Sequence, residues 1–508
     1  MKEIKLLEPK ILWQYFEDII KVPRPSGKEE KIRQHLVDFG EKFNLETVTD
    51  KTGNVLIRKN ATPGRETVKP VVLQGHMDIV AEKNADSNHD FENDPISAYI
   101  DGEWIIANGT TLGADDGIGI AAMLAVLSDK ELKHGPIECF FTINEESGMT
   151  GARGLEPGFL NGKTLINLDS EDEGELFIGC AGGIDTLATL SYKTKRVHNN
   201  SITYKISVNG LKGGHSGDEI NKGLGNSNKI LNRILWNAEK LYKIKISNFD
   251  GGNLRNAIPR EASAIIVIRE KHKNNFEKYL KKISGEIKNE LAATEPGLQI
   301  KTEYIELPDK VLRKGIQKRL LNAIYACPHG VVAMSQEMQG MVETSTNLAS
   351  VKFIEGNRIF ITTSQRSFVD SAKQDIADQV ANTFRLAKAK VEHTESYPGW
   401  APNPDSEITK IVAGSYEKLF HKKPVIRSVH AGLECGLFLE KYPDMDMISV
   451  GPQMKHVHSP DEKLHIGSTQ RFWKLLVDVL ENIPEEGNRG NRGIRGNRGS
   501  KGKSGIME

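Results

Sequence analysis

Apolar and polar positions follow two rhythms along this chain, and the switch between them divides it. In residues 9–20, Ile11, Leu12, Tyr15, Phe16, Ile19 and Ile20 share one side of an amphipathic helix. Ser26-Gly-Lys-Glu29 then reads as a capping box that opens a second helix running to about residue 43. Short apolar runs at 54–58, 70–78, 137–143 and 163–169 predict strands, and the run 120–127 predicts a helix. This alternation predicts an α/β fold with a mostly parallel sheet flanked by helices. From about residue 187 the strands lengthen and the helices become strongly amphipathic: strands at 202–208, 262–269 and 359–363, helices at 226–241, 275–291 and 373–388. That stretch reads as a separate α+β layer inserted into the first. The chain returns through the Pro-rich segment 396–404, then a helix at 407–420 and strands near 425 and at 445–450. The expected division is 1–186 and 396–485 for one domain, 187–395 for the insert, and 486–508 for a tail.

Length and charge support this division and narrow the partners. A chain of 508 residues exceeds what one core organises. Lys plus Arg equals Asp plus Glu at 68 each, so no global field favours nucleic acid or an anionic membrane. The first 30 residues mix charges throughout, and no apolar run is long enough to span a bilayer, so a cytoplasmic protein without membrane association is expected. Cys139, Cys180, Cys327 and Cys435 are scattered without C-x-x-C spacing, as reduced, buried thiols are. From Gly487 to Gly505 glycine recurs every third residue, interleaved with Arg489, Arg492, Arg495 and Arg498. Lacking proline, the tail is expected to be a disordered, solvated segment; a basic arm for RNA is the alternative.

Candidate chemistry collects at the predicted strand ends. Glu145 and Glu146 follow the strand at 137–143, where adjacent acids repel unless a cation or a shared proton intervenes. One metal ligand and one proton carrier satisfy that condition, although in isolation the pair also reads as a solvated turn. His76 and Asp78 end the strand at 70–78, where an imidazole can hold a metal through one nitrogen while a carboxylate orients the other; a capped strand end reads the same way. Asp115 and Asp116 open the helix, and capping explains Asp116 better than Asp115, which suits a bridge between two cations. Asp169 ends the strand at 163–169, and His458 in His456-Val-His-Ser-Pro-Asp-Glu462 can deliver a second imidazole. Parallel α/β sheets bind ligands at the carboxyl ends of their strands, so His76, Asp115, Glu146 and Asp169 are expected in one crevice. Two imidazoles and three carboxylates suit two divalent ions, zinc, cobalt or manganese, ~3.5–4 Å apart if Asp115 bridges them. Glu145 is then the general base that takes a proton from water and hands it to a leaving amine, which is amide hydrolysis. Two further segments read as functional or as ordinary surface: His215 in Gly213-Gly-His-Ser-Gly217, and Arg366 in Thr363-Ser-Gln-Arg-Ser367.

The motifs Gly75-His-Met-Asp78, Gly113-Ala-Asp-Asp-Gly117, Asn144-Glu-Glu-Ser147, Asn167-Leu-Asp169 and His458-Ser-Pro-Asp-Glu462 resemble, in order and separation, those of the M20 metallopeptidases. The resemblance runs from Met1 to about Glu485 and takes in Gly-Gly-His-Ser-Gly and His430-Ala-Gly-Leu-Glu-Cys-Gly436. It implies a di-metal aminopeptidase-like catalytic domain with an inserted lid, acting on small peptides: Xaa-His and other unblocked L-dipeptides. It implies His76, Asp115, Glu146, Asp169 and His458 as ligands of two divalent ions, zinc first, with Glu145 as acid/base and Asp78 orienting His76. It further implies that His215 stabilises the oxyanion and Arg366 holds the substrate carboxylate or the developing charge. Asn256, Asn347 and His430 are implied as further substrate contacts, and the lid as the surface of a homodimer. The same metal set serves relatives that remove N-acyl groups or C-terminal residues. A non-catalytic, RNA-associated protein using the arginine tail is the reading of another class.

Overall fold

The computed structural model describes residues 3–487. Its first body is an eight-stranded mixed sheet ordered Glu46–Thr49, Val55–Lys59, Ile137–Thr142, Val71–His76, Thr164–Asn167, Asp446–Ser449, Glu175–Cys180 and Val425–Val429. The four central strands Ile137–Thr142, Val71–His76, Thr164–Asn167 and Asp446–Ser449 run parallel. Antiparallel pairing at Val55–Lys59 and between Asp446–Ser449 and Glu175–Cys180 makes the whole mixed. Every residue of Val71–His76 and of Ile137–Thr142 is buried, as strands covered on both faces must be.

Successive side chains feed opposite layers. Val71, Leu73, Cys139, Phe141 and Ile166 pack against the helices Lys10–Ile19, Ala114–Ser128 and Ile466–Asn482. Val72, Phe140 and Leu165 pack on the other face with Leu437 and Phe438 of Glu434–Lys441. The helix Ala114–Ser128 is buried all round from Ala114 to Leu127, which is why its apolar run shows no polar face.

The second body takes its strands from 182 to 393. It is a nine-stranded antiparallel sheet with the helices Ser227–Tyr242, Lys273–Glu290, Lys314–Ala326 and Asp370–Leu386, enclosing its own core. The chain passes between the bodies twice, and the two passes hydrogen-bond to one another. Cys180 N–H donates to Trp400 O at 2.9 Å and Trp400 N–H to Cys180 O at 2.8 Å; Gly183 and Tyr397 exchange a pair at 3.1 and 3.0 Å. The Pro-rich stretch at 396–404 is therefore a docked segment and not a free linker.

One local expectation fails for an identifiable reason. Ser26 does not cap the second helix, which runs Glu30–Lys42 without a side-chain cap, because the Ser26 hydroxyl donates to Asp78 Oδ2 at 2.7 Å. Glu29 instead accepts from Gly27 N–H at 2.8 Å and Asn144 N–H at 3.1 Å. The long strand Val342–Ile354 buries Thr344, Ser345, Thr346 and Asn347, so its polar run conceals a strand in which the Thr344 and Thr346 hydroxyls are paired within the sheet and that of Ser345 with His430. Residues 488–508, on which the tail and RNA-arm readings rest, lie outside the described residues. Among the described residues no helix is long and apolar enough to cross a membrane.

The docked crossing generates a prediction. A Cβ at Gly182 would lie 2.5 Å from Gly399 N and 2.6 Å from Pro398 C, backbone atoms that cannot yield without moving the crossing. At Gly285, in Lys273–Glu290, it would meet nothing within 4 Å. Gly182→Ala is expected to destabilise by ~1–3 kcal/mol, and Gly285→Ala to stabilise by ~0.5–1 kcal/mol. Thermal midpoints of the two variants should move in opposite directions, and parallel movement would count against the docked crossing.

Candidate metal centre

The carboxyl ends of the parallel strands, the start of Ala114–Ser128 and the loop at 456–462 meet at Asp115. Its Oδ1 lies 2.9 Å from His76 Nε2 and its Oδ2 lies 3.0 Å from His458 Nε2, so each oxygen faces a different imidazole. On the first side His76 Nε2 is also 3.3 Å from Asp169 Oδ1; on the second, His458 Nε2 is 2.9 Å from Glu146 Oε1. The ligand atoms of His76, Asp115 and Asp169 lie within 4.8 Å of one another, as do those of Asp115, Glu146 and His458. His76, Glu145 and Glu146 form a third such group. The structure thus gathers all five expected ligands into two triads that share Asp115.

Charge explains how so many acids share this space. Burial raises Asp169 and Glu145 well above the carboxylate range, with His76 opposing and Asp115 reinforcing the effect in both. Asp115 is driven below its usual value, because hydrogen bonds to His458 and His76 outweigh its burial. His458 is pushed up to about 11 by its contacts with Asp115 and Glu146. His76 rises well above its usual value because Asp169 and Asp115 overcome burial. Asp116 is the exception among the acids. Burial lifts it to about 8, its Oδ1 accepts from Gly119 N–H at 3.1 Å, and it serves the helix start. A Cβ at Gly75 would lie 1.9 Å from Asp116 Oδ2, so this packing requires glycine beside His76.

The residues suit divalent cations. The donors are imidazole nitrogen and carboxylate oxygen, the set that zinc, cobalt or manganese accept. Glu146 Oε1 is buried without a hydrogen-bond partner, its approach to His458 being off the hydrogen-bond axis. An orphaned carboxylate oxygen beside two other acids is what a cation relieves.

Neighbouring groups fix the ligands. His76 Nδ1 lies 3.1 Å from the backbone carbonyl of Asp78 and 3.6 Å from its carboxylate. The expected orienting contact therefore runs through the main chain. The Asp78 carboxylate instead accepts from Glu145 N–H at 2.9 Å and Glu146 N–H at 3.2 Å, so it orients the acidic pair. Glu462 accepts from the N–H groups of Leu112, Gly113, Ala114 and Asp115 at 2.7, 2.9, 2.8 and 3.3 Å, clamping the turn that carries Asp115. Buried Arg24 donates to Met77 O at 2.9 Å, Asp78 O at 3.0 Å and Gly113 O at 2.5 Å, tying two ligand segments together. Beneath the strand ends, Glu434 Oε2 accepts from Gln74 Nε2 at 2.6 Å and Thr142 Oγ1 at 2.7 Å. Sequence reasoning assigned no role to Arg24, Glu434 or Glu462. The two glutamates lie inside motifs it quoted, which was the only signal.

The expected substrate contacts divide between two places. His430 and Asp218 share a cleft of about 660 Å³ with Asp169 and Glu171. His430 Nε2 is 2.8 Å from Ser345 Oγ, and burial, reinforced by Arg366, pushes the imidazole down to about 3. Arg366 is buried, donates from Nη1 to the Tyr397 hydroxyl at 3.0 Å, and makes no ion pair among the described residues. His215 and Asn256 line a separate groove of about 960 Å³, with His215 Nδ1 3.3 Å from Asp218 Oδ2. Asn347 donates to Ala257 O at 2.8 Å and Arg255 O at 3.3 Å, holding the loop that carries Asn256.

Known proteins share this arrangement of sequence and fold. The profile of peptidase family M20/M25/M40 matches residues 72–482. A protein of Escherichia coli (strain K12) named cytosol non-specific dipeptidase is 43% identical over 484 residues, covering 95% of this chain and 100% of its own length. The aminoacylhistidine dipeptidase of Vibrio alginolyticus superposes with a TM-score of 0.89 at 45% identity, over 96% of this chain and 99% of that one. The aminopeptidase PepT of Bacillus cereus ATCC 10987, at 16% identity and a TM-score of 0.56 over 94% of this chain and 99% of that one, shares the fold alone.

The Glu462 clamp can be tested without reference to turnover. Glu462→Ala strips four buried N–H groups of their acceptor, and a loss of ~1–3 kcal/mol is expected. Urea denaturation of chelator-treated protein measures it, and an unchanged midpoint would show that the clamp is dispensable.

Proposed function

This chain belongs to peptidase family M20/M25/M40, and from that premise we propose that it hydrolyses dipeptides, Xaa-His and other unblocked L-dipeptides, at a centre for two divalent ions. The observation that carries the proposal is the position of Asp115 between two imidazoles, each backed by a further acid. His76 and Asp169 would hold one ion and Glu146 and His458 the other, with Asp115 shared; zinc suits this donor set, as do cobalt and manganese. Two such ions, when bound, supply Lewis acidity and acidify water near neutral pH.

The chain's own residues do the rest. Glu145 is held by its N–H on Asp78 Oδ1 and stands beside a ligand without being required as one. It acts as general base toward the attacking water and then as general acid toward the leaving amine nitrogen. Asp78 keeps Glu145 and Glu146 in register through their N–H groups. Arg366, a buried guanidinium with no acid against it among the described residues, receives the substrate's terminal carboxylate. His430, kept neutral by burial and by Arg366, adds a polar contact without a competing charge. We assign His215 to the oxyanion and Asn256 to the same lid surface, on the strength of the resemblance in their motifs.

Two experiments examine this reading. Glu145→Gln should retain metal at the wild-type ratio per chain while kcat falls ~10²–10⁴-fold, since proton transfer is removed and no ligand is lost. His76→Ala and Asp169→Ala should lower metal content, and Asp115→Ala should lower it most. Metal loss in the Glu145 variant, or near-normal turnover, would overturn the role. Hydrolysis of β-Ala-His, Leu-Gly, a tripeptide and an N-acetyl amino acid tests the substrate class; activity confined to the last would establish the N-acyl amidohydrolase alternative.

A further inference from the structure

Arg366 is held by a single side chain. Its Nη1 donates to the Tyr397 hydroxyl at 3.0 Å, and its Nε is buried without a partner. Because the acceptor is a neutral phenol, the bond orients the guanidinium without bringing a charge against it.

The Tyr397 ring is itself locked. A Cβ at Gly183 would lie 2.4 Å from its hydroxyl oxygen and 2.5 Å from Cζ, and one at Gly432 would lie 2.9 Å from Cε2. Two glycines, one at the head of the strand Gly182–Ser191 and one just after His430, therefore leave the slot that the ring fills. The backbone is pinned as firmly. Tyr397 N–H donates to Gly183 O at 3.0 Å, and Tyr397 O accepts from Gly183 N–H at 3.1 Å and from Lys373 Nζ at 2.5 Å. With ring and backbone fixed, the hydroxyl oxygen has a defined position at the junction of the two bodies, where the Arg366 charge also acts on Asp218 and His430 of the cleft.

We propose that Tyr397 is a positioning residue for substrate binding: its hydroxyl aims the Arg366 guanidinium at the terminal carboxylate of the dipeptide. The proposal rests on the assignment of Arg366 to that carboxylate, so the test separates the two. A purely structural tyrosine would act through its ring, and Tyr397→Phe keeps the ring while removing the oxygen.

The Tyr397→Phe variant should keep its thermal midpoint and its metal content. Its KM for a free dipeptide should rise about tenfold, the worth of one oriented hydrogen bond, with kcat changing less. For the same dipeptide carrying a C-terminal amide, KM should not change, so the preference for carboxylate over amide falls by the same factor. Unchanged KM and unchanged preference in Tyr397→Phe overturn the proposal. Arg366→Met, assayed on the same pair, tests the premise: a preference that survives this variant removes the Arg366 assignment. A preference lost in Arg366→Met but intact in Tyr397→Phe removes the role of Tyr397 alone. Gly432→Ala, which presses on the ring, supplies an independent variant and should reproduce the KM change of Tyr397→Phe.

Discussion

Asp115 has an imidazole on each carboxylate oxygen, at 2.9 and 3.0 Å, and the rest of the molecule is arranged around keeping it there. Asp115, Asp116, Glu145, Glu146 and Asp169 crowd one region, where like charges in a medium of low dielectric repel strongly. Each acid is accommodated differently. Asp116 holds its proton and caps a helix, while Asp115 draws its charge balance from His76 and His458. Glu462, a further acid, is surrounded by four N–H groups at the helix start. Arg24 supplies a buried positive charge whose neighbours include Asp116, Asp78, Glu462 and Asp115.

Such a site is costly for stability, and the sheet offsets the cost. Gln74, Thr142, Asn167 and Ser449 lie fully or almost fully buried on the central strands, where apolar residues would pack more simply. Their polar groups are joined through Glu434: Asn167 Nδ2 donates to Gln74 Oε1 at 2.7 Å, and Ser449 Oγ donates to Asn167 Oδ1 at 2.5 Å. This chain of hydrogen bonds crosses the sheet just below the ligands and fixes the strand ends against one another. The apolar residues that hold the strands in place lie on either face, Leu73, Phe141 and Ile166 on one and Val72, Phe140 and Leu165 on the other.

How much of this could be read from the chain depends on the range of the interaction. The helix at 407–420 and the strand at 262–269 match Glu407–Phe420 and Ala262–Arg269, because local periodicity decides them. Four of the residues proposed as ligands, His76, Asp115, Glu146 and Asp169, were legible because each sits at the end of an apolar strand or in a glycine-bounded turn, patterns of a few residues. Glu462 was not legible, since its acceptor role depends on Leu112 and Gly113 some 350 positions earlier. Ser26 was misread because a hydroxyl that satisfies a capping pattern found a stronger acceptor in Asp78, 52 residues away. Val342–Ile354 escaped notice for the converse reason: its buried polar residues find partners in the folded protein, and a hydropathy pattern records only their polarity.

The charge distribution across the cleft follows from the same logic as the metal centre. Asp169 and Glu171 line the cleft, and Glu171 is lifted to about 7 by burial and by Asp115. His430, which lines the same cleft, is pushed down to about 3 by burial, reinforced by Arg366, and stays neutral. The two hydrogen-bonded crossings, Cys180 with Trp400 and Gly183 with Tyr397, tie the body that bears Arg366 to the one that bears Asp115. If Arg366 takes the substrate carboxylate as proposed, substrate length is set at this junction and not at the metal centre.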